Sequence, residues 1–219
     1  MSSSQQTSKY SFKEELAHGI SHGIGTGLAI VGLVFLLIAA IRYGNSWHIV
    51  SAAVYGSSLI LLYLASTLYH LISSPNLKRI FQKLDHSMIY VLIAGTYTPL
   101  TLVTLRGGWG WTLFGLVWGM AVCGLVLEVV LPRRISWLSI LLYLGMGWLV
   151  VIAGKPLVAS LATGGLILLV AGGLLYSLGV IFYVWKKLSY NHAIWHLFVM
   201  AGSAAHFFAI LFYVYSPAH

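Results

Sequence analysis

The chain has 219 residues, 59% of them apolar and only 7% charged, with a mean hydropathy of +0.91. Charged residues make up near a quarter of a soluble globular domain, so this composition excludes one and indicates an integral membrane protein. The net charge of +8 does not indicate a nucleic-acid partner, because the basic residues are distributed between apolar runs and form no single surface.

Residues 1–15 contain no apolar stretch of the kind a secretory signal needs, and Ser2 stands where N-myristoylation requires a glycine. They read as a short cytoplasmic N-terminal segment, and 16–219 as a single membrane domain. Seven apolar runs in that domain are long enough to cross a bilayer as helices: 16–41, 49–72, 85–105, 109–131, 135–153, 157–185 and 192–215. They are continuous and rich in Gly and Ala, unlike the ten-residue alternating segments of a barrel. The predicted fold is therefore all-α: a polytopic seven-transmembrane helix bundle. Gly19, Gly23 and Gly27, and Gly115 with Gly119, are spaced by one turn and read as positions of close helix packing. Cys123 is the only cysteine, so it forms no internal disulfide.

The basic residues sort by side. Lys9, Lys13, Lys78, Arg79, Lys83, Arg133, Arg134, Lys186 and Lys187 fall on one side of the predicted spans, and Arg42, Arg106 and Lys155 on the other. The positive-inside rule makes the first side, with the N-terminus, cytoplasmic and puts the C-terminus outside. An odd number of spans fits that asymmetry.

With this topology, Ser66 and His70 close the second span, Asp85 and His86 open the third, and His192 and His196 open the seventh, all at the cytoplasmic face. A single histidine there is explained by headgroup solvation of its tip. A cluster at one depth asks for more, because ionisable groups in spans are costly and turn towards cavities or one another. His192 and His196, four residues apart, share one helical face and can hold a single metal ion. Together with His70 they leave one tetrahedral position of Zn²⁺ open for water, the composition of a catalytic site, and no thiolate is near. His18 with His22, at the same end of the first span, is a competing pair.

Asp85 is placed to take a proton from water or to orient an imidazole. Ser66 can donate to an oxyanion or to Asp85, or bond its own helix backbone. His206 lies ten residues beyond His196, about 15 Å along a helix, and reads as an internal hydrogen-bonding residue, while His48 and His219 read as exposed on the outer side. Glu128, ahead of Arg133 and Arg134, reads as half of an interface ion pair. Glu14 and Glu15 suit the first turn of a helix and call for no further role.

Taken together, SxxxH at Ser66 and His70, KLDxS from Lys83 to Ser87, HxxxH at His192 and His196, and HF at His206 resemble the hemolysin III proteins. These are the bacterial branch of the progestin and adipoQ receptor family, within a superfamily of membrane hydrolases that includes alkaline ceramidases. The likeness runs nearly end to end, from EELAHGISHGIG through AGTYTP and YSLGVIFY to NHAIWH. It implies a multi-pass protein of the bacterial inner membrane with a cytoplasmic N-terminus. It also implies a zinc ion held by His70, His192 and His196, with Asp85 and Ser66 in the surrounding water and hydrogen-bond shell, and no ligand on the first helix. Receptor members carry a longer N-terminal domain than this chain, so adiponectin-type binding is not carried over.

The leading functional expectation is a zinc-dependent hydrolase of an acyl amide or ester lipid, with Asp85 as base and the acyl chain between helices. The alternative is a non-enzymatic sensor or regulator of membrane lipid state, in which zinc ties helices two and seven together. A cavity that reaches the histidines favours the enzyme, and a sealed site favours the sensor. A cytolytic pore is disfavoured because no span carries a polar stripe, and a di-iron desaturase because its dense histidine boxes are missing.

Overall fold

The computed structural model describes residues 10–131 and 135–215. Ser11 begins the first helix: its hydroxyl accepts the Glu14 amide at 3.3 Å, and the Glu14 carboxylate accepts the Ser11 amide at 2.9 Å. This reciprocal pair satisfies donors that a helix start leaves open. Seven helices long and apolar enough to span a membrane follow: α1 (Phe12–Tyr43), α2 (Ser46–Leu71), α3 (Pro75–Thr104), α4 (Gly108–Val130), α5 (Ser136–Ser160), α6 (Thr163–Val184) and α7 (Asn191–Tyr213). No strand occurs among the described residues. The all-α seven-helix expectation is met.

Three boundaries differ clearly from those expected, among them the start of α6, at Thr163 and not at 157. α3 starts at Pro75, ten residues ahead of Asp85, because proline suits a first helical position and the polar segment behind it continues the helix beyond its apolar part. α5 runs past Ala153 to Ser160 through a tight stretch at Leu149–Ala153. Pro156 is accommodated there because it falls in the first turn of the resumed α-helix, where its missing N–H has no partner to lose.

α1 packs along α2 and α7, α2 along α3, α3 along α4, and α6 along α7. Large apolar side chains such as Ile20, Leu28, Val31 and Phe35 point outward, as they must on a surface covered by lipid. α3 is the most enclosed helix: 67% of its apolar 18-residue stretch is buried, against 17% in α5 and in α6. α5 touches α3, α4 and α6 only sparsely, and the space it leaves becomes a cavity.

The glycine expectation holds only in part. A Cβ at Gly19 would strike Leu71, whereas Gly27, Gly115 and Gly119 face open space. Close approach is instead demanded at Gly95, where a Cβ would collide with Ser58 of α2.

Candidate metal centre

The start of α7 is held in place from two sides. Tyr190, the residue before it, takes a left-handed conformation with φ 56°, uncommon for a bulky side chain. Its amide donates to Glu14 Oε1 at 3.2 Å, which ties the start of α7 to that of α1. Asn191 Nδ2 donates to the carbonyls of Phe182 at 2.9 Å and Tyr183 at 3.3 Å, satisfying the end of α6. His192 and His196 follow, one turn apart, and both are buried.

His70 meets them from the last turn of α2. Its Nδ1 pairs with Glu15 Oε2 at 2.6 Å, and Glu15 Oε1 accepts from Lys78 Nζ at 2.9 Å. With Nδ1 donating to the carboxylate, the lone pair falls on Nε2, the arrangement in which a carboxylate orients a metal-ligating imidazole. His70 Nε2 and both nitrogens of His192 are buried without a hydrogen-bond partner. Each such orphan costs on the order of 1–3 kcal/mol, and a cation would satisfy what no protein atom does. One ligand atom from each of His70, His192 and His196 lies within 4.8 Å of the others. These residues fit a divalent metal ion.

α1 also reaches the cluster. His22 stacks on His196 with ring centroids 3.5 Å apart, and His18 meets His70 at 4.7 Å and His192 at 4.9 Å. The two α1 histidines therefore join the predicted trio and do not form a separate pair. Ser21 Oγ lies 3.0 Å from His196 Nδ1 and fixes that ring. Tyr10 covers the cluster, stacked on His192 at 5.4 Å, and burial pushes its phenol up to about 12, so it stays neutral.

Asp85 is buried and lines a cavity of about 1150 Å³ of empty space, counted out to its mouth, between α3, α5, α6 and α7. His22, His192 and His196 line the same cavity, whose walls are otherwise mainly apolar, among them Ile89, Ile140, Leu144 and Val180. Asp85 is in neither of the ligand groups found among the described residues, and it shares the cavity wall with His192 and His196. Ser66 is buried one turn before His70, and its hydroxyl makes no bond to its own helix. His206 contributes Nε2 to the Leu169 carbonyl at 3.0 Å, the internal hydrogen bond expected of it.

One carboxylate differs from its expected role, and another has a partner that the sequence did not indicate. Glu14 caps α1 as anticipated, but Glu15 is the partner of His70; its position one turn from His18 was the available signal. Glu128 is buried and pairs with His86 Nδ1 at 3.1 Å, while Arg133 and Arg134 lie outside the described residues, as does His219.

Residues 10–207 match the family described as Haemolysin-III related. The chain belongs to the hemolysin III family. It is 53% identical to the hemolysin-3 homolog of Bacillus subtilis (strain 168), over 93% of this chain and 96% of that one, and 52% identical to hemolysin-3 of Bacillus cereus, over 94% of each. It is also 31% identical to the human monocyte to macrophage differentiation factor, over 92% of this chain and 85% of the relative. The hemolysin III likeness thus spans every helix that contributes to the histidine cluster.

Proposed function

We propose that this hemolysin III protein is a zinc-dependent hydrolase of acyl amide or ester lipids, seated in the bacterial inner membrane with its histidine cluster at the cytoplasmic face. The observation that carries the reading is the apolar cavity ending on Asp85, His192 and His196. An acyl chain lying along Ile89, Leu144 and Val180 would present its carbonyl at that polar end.

His70, His192 and His196 would hold the ion, and three imidazoles without a thiolate favour zinc in an open, catalytic setting. Zinc bound there supplies Lewis acidity, polarising a carbonyl and lowering the pKa of water towards ~7. Asp85 accepts the proton of the attacking water and returns it to the leaving nitrogen or oxygen. Glu15 keeps His70 in one tautomer and one orientation. Ser66 offers a hydroxyl to the developing oxyanion or to Asp85, which accounts for its open hydrogen bond. The apolar walls of the cavity keep bulk water from the reacting carbonyl.

The test is cleavage by purified protein of acyl amides and esters, with products identified by mass spectrometry. Wild type should release fatty acid and Asp85→Ala should not. One observation favours a second reading: the cluster joins the ends of α1, α2 and α7, so a metal there stabilises the bundle with or without chemistry. No cleavage of either lipid class by the zinc-loaded wild type would move the assignment to such a sensor of membrane lipid. Orientation is tested separately by reporter fusions after Lys187 and after His219, which should report opposite compartments.

A further inference from the structure

α1 brings more ligand chemistry to the cluster than the position of His70, His192 and His196 uses. Glu15, His18 and His70 are all buried, and one ligand atom of each lies within 4.8 Å of the others. His18 is fully enclosed, and neither of its ring nitrogens has a hydrogen-bond partner. Its ring packs edge-on against His70 with centroids 4.7 Å apart. An apolar side chain would fill that space without leaving two polar atoms stranded, so a partner for them is called for. A carboxylate with two imidazoles suits divalent ions of the zinc and cobalt type.

His70 belongs to both groups, and this dictates how they relate. A single imidazole serves two dications only after losing its last proton. Two dications so close in a buried site, balanced by one carboxylate, repel strongly. The positions are therefore filled one at a time. We propose that Glu15, His18 and His70 form a second, alternate position for a divalent transition-metal ion, through which the ion passes on its way to and from His70, His192 and His196. The proposal rests on reading the latter trio as the resident site.

Two features fit a transit position. The Glu15 side chain is 12% exposed while that of His70 is fully buried, so Glu15 is the ligand that an ion from the polar end meets first. Lys78 Nζ lies 2.9 Å from Glu15 Oε1, so an incoming cation competes with an ammonium for the carboxylate and is held weakly. Once the ion moves on, Glu15 returns to His70 Nδ1, the pairing seen at 2.6 Å.

The experiment titrates Co²⁺ into the purified, metal-free full-length chain and reads visible absorption and metal content. Wild type should bind one ion tightly. The His192→Ala/His196→Ala double variant should still bind one ion, more weakly and with a shifted spectrum. Adding His18→Ala to it should abolish binding, and adding Lys78→Met should instead tighten it by ~2–5-fold. His18→Ala alone should still bind one ion and melt cooperatively, though at a lower temperature, which controls for folding, while slowing both loading and removal by chelator. An empty double variant that still melts as a folded protein would overturn the proposal, as would binding that survives the added His18→Ala or weakens with Lys78→Met. Equal affinity in wild type and double variant would instead remove the His192 and His196 assignment and leave the second position standing.

Discussion

Where α1, α2 and α7 meet, the bundle is filled with buried imidazoles; where α5 faces α3 and α6, Tyr97, Tyr143 and Trp148 bond across the seams and the rest of the wall is mainly apolar. At the first place His18, His22, His70, His192 and His196 are buried against one another, with Glu15, Ser21 and Tyr10 fixing the rings. At the second, a largely apolar cavity takes the place of tight packing. In a membrane, polar groups that hold no partner are expensive, so their concentration at one end marks where a partner is expected. The loosely packed side carries less of that debt, with His206 Nδ1 as one such atom on the cavity wall, and under the proposed function it takes the acyl chain. The two regions touch where His22, His192 and His196 line the cavity together with Asp85 of α3, the most enclosed helix.

The contrast between the two ends is lost if the polar end holds no metal. His196→Ala should lose the ion and lower thermal stability, whereas His206→Ala, half-buried further along α7 on the Leu169 carbonyl, should retain it. Metal content per purified chain decides, and full occupancy in a His70/His192/His196 triple alanine variant would remove the site. The next largest effect separates chemistry from binding. Asp85→Asn keeps shape and hydrogen-bonding capacity, so zinc should stay bound while lipid cleavage falls ~10²–10⁴-fold. Undiminished cleavage would exclude Asp85 as the base.

A smaller effect is expected at the orienting carboxylate. Glu15→Gln should weaken zinc binding by ~10–100-fold, the usual consequence of losing the group that aligns a ligating imidazole; competition with a metal indicator measures it. The smallest pair sharpens the contrast in packing. Gly95→Ala, on the α2–α3 seam, should destabilise by ~1–3 kcal/mol because its methyl meets Ser58. Gly119→Ala, facing open space on α4, should be neutral or stabilise by ~0.5–1 kcal/mol through the backbone alone. Thermal melts in detergent compare the two, and equal losses would mean that α4 is packed in a way its open face does not indicate.

The sequence by itself determined the seven helices, since each follows from a run of apolar residues read locally. It also determined that His192 and His196 share a face, because helical periodicity alone requires it, and that His70 and Asp85 belong at the same end, because alternating spans return there. Tertiary structure decided which faces meet. Periodicity states which residues of α1 lie together but not which neighbour they address, so the bond from Glu15 to His70, across 55 residues of chain, was not legible, nor was the stacking of His22 on His196. The same reason paired Glu128 with His86 and left Gly27, Gly115 and Gly119 facing outward despite their spacing. A pattern within one helix is a property of its own backbone, whereas the partner of a side chain depends on how all seven helices are rotated about their axes. That rotation is set by the sum of packing contacts in the assembled bundle.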